Sequence, residues 1–304
     1  MLLRSRTTNA WRKPANNRDE LVKMGNPYKL PDGNVQISFS GGRTSAYMLH
    51  QLIAANGGFD PHRVRIIFSN TGREMPATLD FVQECSERWA VPITWLEYTS
   101  DAPKFQLACH YNAARNGEPF DELIKDKKIL PNVLMRFCTS DLKIKPAERF
   151  LKACGWTEWT NLVGVRSDEQ RRVNLTPQGN SKFRWTRGYP LVDNGVDKNV
   201  VARFWEGQPF DLAIKNINGS NIEGNCDLCF CKSETKLAHM IKNYPERAKW
   251  WSEWEKKMAH RGDYGKFSSR QSRADLQDFV ERQGDWMFDV EDALCQRDDG
   301  ECMG

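Results

Sequence analysis

No apolar run in this chain of 304 residues approaches the length of a membrane span, which excludes a bilayer-crossing helix. There is no internal repeat and no low-complexity segment, so repeat arrays are excluded as well. Charge of one sign is scarce: a formal +4 over this length is too mild to imply nucleic-acid binding by itself. Charged residues alternate in sign and read as ordinary solvated surface. The basic stretch from Met1 to Arg18 lacks the apolar core and cleavage site of a secretory signal. It mimics an organellar transit peptide and is expected to be a disordered tail. The length suffices for one large core with an appendage, or for two small domains.

Cysteine is what the chain has in quantity. Nine is an odd number in a chain too large to need disulfide staples. It points to a reducing, cytoplasmic compartment, where cysteine clusters serve metals or redox chemistry. Cys85, Cys109 and Cys154 stand singly beside apolar segments and read as inert core residues. Cys226, Cys229 and Cys231 have good metal-ligand spacing. Cys138 and Cys302 are the other informative ones.

Strand-like runs at 35–40, 64–69, 93–98 and 161–166 alternate with helix-like runs at 44–55, 77–89 and 146–154. That order predicts an α/β fold, a mostly parallel sheet with helices on both faces, followed by a helical, Cys-bearing C-terminal segment. Residues 1–33 read as a flexible lead-in, 34–215 as the nucleotide-binding domain and 216–304 as the cysteine segment, Trp-rich helices and tail. The indoles of Trp250, Trp251 and Trp254 are expected to pack back onto the core.

The densest signal is Ser38-Phe39-Ser40-Gly41-Gly42-Arg43-Thr44-Ser45, where a strand ends and a helix begins. Backbone amides at such a turn, with the helix dipole, make a concave site for phosphate or sulfate. Ligands of open α/β sheets sit at the carboxyl ends of the strands. Two more loops lie there: Asn70-Thr71-Gly72-Arg73-Glu74, and Gly164-Val165-Arg166-Ser167-Asp168-Glu169 leading to Arg171 and Arg172. With Lys182, Arg184 and Arg187 they supply a cationic segment suited to an anion.

Ser40 to Ser45 resembles the PP-loop of adenine-nucleotide α-hydrolases, and Asn70 to Val82 resembles that superfamily's second motif. From about Val35 to Lys232 the chain resembles the phosphoadenosine phosphosulfate (PAPS) reductase family. Tyr189-Pro190-Leu191-Val192, then Val200, Phe204, Pro209 and Leu212, then Gly224-Asn225-Cys226-x-x-Cys229, follow the family's order. The resemblance implies an adenine nucleotide over Gly41 and Gly42, its anionic groups held by Arg43, Lys143, Arg166 and Arg171. It also implies a metal site at Cys138, Cys226 and Cys229. Cluster-bearing relatives have two adjacent cysteines where this chain has Cys138-Thr139. The expectation is therefore a [4Fe–4S] cluster with Cys231 as replacement ligand, or one with an open iron; Zn2+ is the alternative.

The family's nucleophilic cysteine lies in a Glu-Cys-Gly-x-His tail motif. Glu301-Cys302 matches it, Met303-Gly304 does not, and Cys295 is an equal candidate. The resemblance implies thiol-dependent reduction of PAPS or APS to sulfite with a thioredoxin-like partner. A second reading is an ATP- and Mg2+-dependent adenylating sulfurtransferase acting on tRNA or DNA. There Thr44 replaces a metal-binding aspartate, with Glu74, Asp168 or Glu169 to compensate. A third is a non-catalytic nucleotide-binding module with structural zinc.

Overall fold

Alternating strands and helices assemble into a six-stranded sheet of order β4-β3-β2-β1-β5-β6 in a computed structural model that describes residues 26–174, 184–217 and 220–283. The chain enters the sheet through β1 (Val35–Ser38), followed by helix α1 (Arg43–Asn56), β2 (Val64–Asn70), α2 (Pro76–Arg88), β3 (Ile93–Glu97) and β4 (Gln106–Ala108). Helix α3 (Glu118–Lys127) follows, then α4 (Lys145–Ala153), β5 (Trp159–Val163), β6 (Trp185–Gly188) and α5 (Lys198–Glu206). All pairings are parallel except that of β3 with the short edge strand β4. Ile37 in the central strand stands opposite Ile66 and Leu162.

Local chemistry sets the helix ends. The Gly57 amide closes α1 by donating to the Ile53 carbonyl from a left-handed conformation. Pro76 sits in the first turn of α2 and Pro146 in that of α4, where a missing N–H costs nothing. Helix α4 is entered through a π-helical turn, Ser140–Ile144, on the loop side of the sheet.

The two faces of the sheet are covered differently. Val35, Ile37 and Phe68 bury against Leu49, Leu79, Phe81 and Trp205 from α1, α2 and α5. On the other face α4 places Ala147 and Leu151 on Ile67, Leu96 and Trp159. Along β1, β5 and β6 that second face also carries Gln36, Ser38, Asn161 and Arg187, and a pocket opens between the sheet and α4.

Beyond a two-stranded ribbon of β7 (Asn216–Ile217) and β8 (Ser220–Asn221), the chain is helical: α6 (Glu234–Asn243), α7 (Pro245–Met258) and α8 (Arg273–Gln283). Ser233 caps α6 by accepting from the Lys236 amide at 3.3 Å. The apolar residues of these helices join the same cluster as those of the first sheet face, with Trp251 fully buried. Each indole of α7 is held by a carboxylate: Trp250 and Trp254 donate to Asp121 at 2.8 and 2.6 Å, and Trp251 to Asp227 at 2.7 Å. These tryptophans are packing residues. No helix among the described residues is long and apolar enough to cross a membrane.

Candidate functional site

Three loops meet at the carboxyl ends of β1, β2 and β5. The first carries Ser40, Gly41 and Gly42 into α1, whose N-terminus has no side-chain cap and no acidic residue in its first turn. Its leading amides are therefore free of side-chain acceptors, the arrangement that receives an anion. Ser40 and Ser45 brace the loop: their hydroxyls lie 2.9 Å apart, the Ser40 amide donates to Ser45 Oγ at 3.1 Å, and Ser45 Oγ donates to the Gly42 carbonyl at 2.9 Å. Gly164, after β5, abuts Ser45.

The second loop is organised from within. Asn70 donates to Glu97 Oε1 at 2.6 Å and to the Ala114 carbonyl at 2.8 Å, and accepts from the Gly72 amide at 3.1 Å. Buried Glu74 accepts from the Thr71 amide and hydroxyl, each at 2.9 Å or closer, with Lys143 Nζ 4.0 Å away. Asn70, Thr71 and Glu74 thus shape the turn.

The cations depart from the sequence expectation. Arg43 is buried and points away from its own loop. Its guanidinium spans both oxygens of Asp211, at 2.6 and 2.8 Å, and reaches Asn221 Oδ1 at 2.9 Å and the Leu212 carbonyl at 2.6 Å. The side chain that was to grip an anion instead ties α1 to the segment after α5. Arg166 is likewise engaged, donating to Asp168 at 3.0 Å and to Thr44 Oγ1 at 3.3 Å, while Arg172 donates to Glu169 Oε1 at 2.6 Å. Asp168 and Glu169 therefore neutralise the cations beside them. Arg171 is exposed. Lys182 lies outside the described residues.

The pocket beside the loop is lined by Ser38, Ser40, Ser69, Thr139, Lys143, Asn161 and Arg187, with Trp159 and Trp185 on its wall. Gln36, Asn161, Trp159 and Trp185 were missed as site residues. Their signal was the strict polar–apolar alternation of Gln36, Ser38 and Ser40 in a central strand, which marks a polar face where a buried parallel sheet is normally apolar on both.

A second cavity adjoins this pocket. Cys138, Cys226 and Cys229 line it together with Thr71, Thr139 and Lys143. The Cys226 thiol lies 3.3 Å from Thr71 Oγ1, and burial, then the Glu74 carboxylate, push it up to about 12. Thr139 Oγ1 is buried with no hydrogen-bond partner among the described residues. Cys231 lines a neighbouring cleft of about 790 Å3 with Leu134, Arg270 and Arg273, and its amide donates to Cys229 Sγ at 3.5 Å. Among the described residues no three His, Cys, Asp or Glu side chains are grouped to hold a metal ion. By donor chemistry, soft thiols around one cavity suit an iron–sulfur cluster or zinc alike. Cys295 and Cys302 lie outside the described residues.

Fully buried Asp227, between Cys226 and Leu228, anchors the cysteine loop to the second loop and to α7. It pairs with Arg73, accepts from Arg247 Nε at 2.6 Å, and its amide donates to the Arg73 carbonyl at 2.9 Å. No sequence pattern singled it out.

Comparison with known proteins gives three findings. The profile of the phosphoadenosine phosphosulfate reductase domain matches residues 34–193. An uncharacterized nin region protein of Escherichia phage lambda, ORF290, is 33% identical over 224 residues, covering 68% of this chain and 69% of that protein. Among solved structures, the PAPS reductase of Candida auris in its phosphate complex aligns with 70% of this chain and 100% of that chain, at 19% identity and a TM-score of 0.40.

Proposed function

Because the chain belongs to the phosphoadenosine phosphosulfate reductase family, we propose that it is a thiol-dependent sulfonucleotide reductase. The adenine nucleotide lies over the Ser-Gly-Gly loop, its 5′ phosphate on the amides of α1. A tail thiolate, Cys302 or Cys295, attacks the sulfonate sulfur. The sulfur–oxygen bond to the nucleotide phosphate breaks, the phosphate leaves with the electron pair, and an enzyme S-sulfocysteine forms. A thioredoxin-like dithiol then attacks the cysteine sulfur; sulfite departs and the dithiol is oxidised to a disulfide.

The observation that carries this reading is the shared wall between pocket and thiol cavity. Thr139 and Lys143 line both, so an anionic group leaving the loop meets a lysine and a sulfur-rich lining. Cys138, Cys226 and Cys229 are the residues that would hold an iron–sulfur cluster, which when bound would supply, at an iron without a cysteine ligand, a site for a sulfur or oxygen donor. The adenylating alternative is the weaker one. The carboxylates it needs for Mg2+ are engaged: Glu74 by Thr71, Asp168 by Arg166, Glu169 by Arg172.

The test is a single turnover without reductant. Protein mixed with PAPS or APS is digested and the peptides carrying Cys295 and Cys302 are weighed. The reading expects a sulfonated cysteine on one of them. Unmodified peptides from protein that binds the nucleotide would refute it.

A further inference from the structure

Beside the cysteine loop, the cleft of about 790 Å3 opens between the start of α8, the turn after α7 and the 132–134 loop, and shares no lining residue with the nucleotide pocket. Its charged lining is Lys232, Lys266, Arg270 and Arg273 against Glu234 and Asp263. Those two carboxylates pair loosely at the rim, Glu234 with Arg270 at 3.6 Å and Asp263 with Lys266 at 3.8 Å. The other two cations have no carboxylate partner among the described residues. Lys232 Nζ donates to the Ile222 and Gly224 carbonyls at 2.9 and 2.6 Å. Arg273 is only 2% exposed; it reaches the Leu228 carbonyl at 3.4 Å, and its Nε has no hydrogen-bond partner among the described residues. Glu255, close by in α7, accepts from the Phe267 and Arg273 amides at 3.1 and 2.6 Å rather than from that guanidinium. A buried charge without its counter-charge is costly and leaves the cleft electropositive.

The same cleft is apolar where it meets solvent. Val133 and Leu134 stand on its edge at 62% and 94% exposure, above buried Phe230 and Phe267. Exposed apolar side chains beside unpaired cations fit an occupant that is both acidic and apolar. The chain's own sequence contains one. Residues 285–301, outside the described residues, carry seven carboxylates against one cation, Arg297, and include Trp286, Met287, Phe288, Val290 and Leu294. Reach is sufficient as well. Helix α8 begins on the cleft with Arg273 and Leu276, and its eleven residues carry Gln283 about 15 Å away. Five extended residues beyond Gln283 span about 17 Å, so the chain from Phe288 onward can return to the cleft.

We propose that this cleft is the docking site of the chain's own acidic segment, residues 288–301. The carboxylates of the segment meet Lys266 and Arg270 at the rim, and its apolar side chains cover Val133 and Leu134. Phe230 lines both this cleft and the thiol cavity, so the docked segment rests beside the cysteine loop and away from the nucleotide pocket. The assignment depends neither on the nucleotide reading nor on any chemistry of Cys295 and Cys302.

Photo-crosslinking of the full chain tests it, with p-benzoylphenylalanine in place of Leu134, whose exposure leaves the fold untouched. Isotope-labelled and unlabelled chains are mixed, irradiated and digested, and the joined peptides are weighed. Crosslinks from position 134 to peptides within 284–304 of the same chain are expected. The same probe in place of Tyr111, equally exposed at 93% but outside the cleft, should not give them. Lys266→Glu combined with Arg270→Glu should lower the yield about 2- to 30-fold, the loss of two exposed ion pairs, and salt at about 1 M should lower it in the unreversed chain. A melting curve confirms that the charge-reversed chain is folded. Crosslinks joining a labelled to an unlabelled chain would put a second copy in the cleft and overturn the assignment. So would the absence of crosslinks to 284–304, equal yields from positions 134 and 111, or a yield indifferent to charge reversal.

Discussion

Two adjacent glycines separate the fold from the function of the loop. Gly41 has a φ of +76°, and a Cβ placed on it would lie 2.7 Å from Thr78 Cγ2, 3.1 Å from Val82 and 3.2 Å from Phe68. The left-handed conformation costs a non-glycine residue about 1–2 kcal/mol, and crowding of α2 adds about 1–3 kcal/mol. Gly41→Ala should therefore destabilise by about 2–5 kcal/mol. Gly42 has an extended backbone, φ −102° and ψ 159°, and its added Cβ would meet nothing closer than Ser40 Oγ at 3.6 Å. Alanine there should change stability by less than about 1 kcal/mol, the difference between Gly and Ala at a helix N-cap. A loop that is only a turn would not notice Gly42→Ala. A loop whose amides hold a phosphate would, because the methyl stands where the anion approaches the backbone. Losing one charge-assisted hydrogen bond weakens binding about 10- to 100-fold. Urea unfolding at unchanged m-value gives the stabilities, and calorimetry with AMP gives the affinities. Wild-type affinity in Gly42→Ala would refute the phosphate cradle; wild-type stability in Gly41→Ala would refute the loop conformation.

Asp227→Ala leaves Arg73 and Arg247 without their shared buried carboxylate and Trp251 without its acceptor. It should lose about 3–5 kcal/mol in urea unfolding, and a loss below about 1 kcal/mol would contradict that role. Cys226→Ser and Cys229→Ser should abolish iron retention in protein purified without oxygen, while Cys231→Ser, on the neighbouring cleft, should keep it; the reverse pattern would overturn the ligand set. Because burial holds Cys226 protonated at neutral pH, metal capture must release its proton. Apparent metal affinity should then fall by about tenfold per pH unit per proton released between about pH 8 and pH 6.5. A chelator competition that is flat with pH would contradict this.

The sheet and the glycine loop were legible because each rests on contiguous residues: alternation in β1, the serines and glycines before α1, prolines in the first turns of α2 and α4. The fourth expected strand was displaced. Its run at 161–166 became Trp159–Val163, because pairing ends at Val163, opposite Ser38, where β1 itself ends. What stayed hidden was pairing over distance. Nothing near Arg43 says that Asp211, 168 residues on, will claim its guanidinium. Nor does the cysteine spacing say that Asp227 will be locked between two arginines. Arg187 was visible as a basic residue in a basic segment. That its buried Nε finds no hydrogen-bond partner among the described residues is a property of three dimensions.

The central claim is sulfonucleotide reduction, and sulfite is its direct product. Protein purified without oxygen would be given PAPS or APS with a thioredoxin-like dithiol, and sulfite measured against released nucleotide. The account predicts sulfite and nucleotide in equal amounts, with turnover lost when Cys295 and Cys302 are both replaced. Absence of sulfite, with pyrophosphate released from ATP in the presence of tRNA or DNA instead, would contradict it.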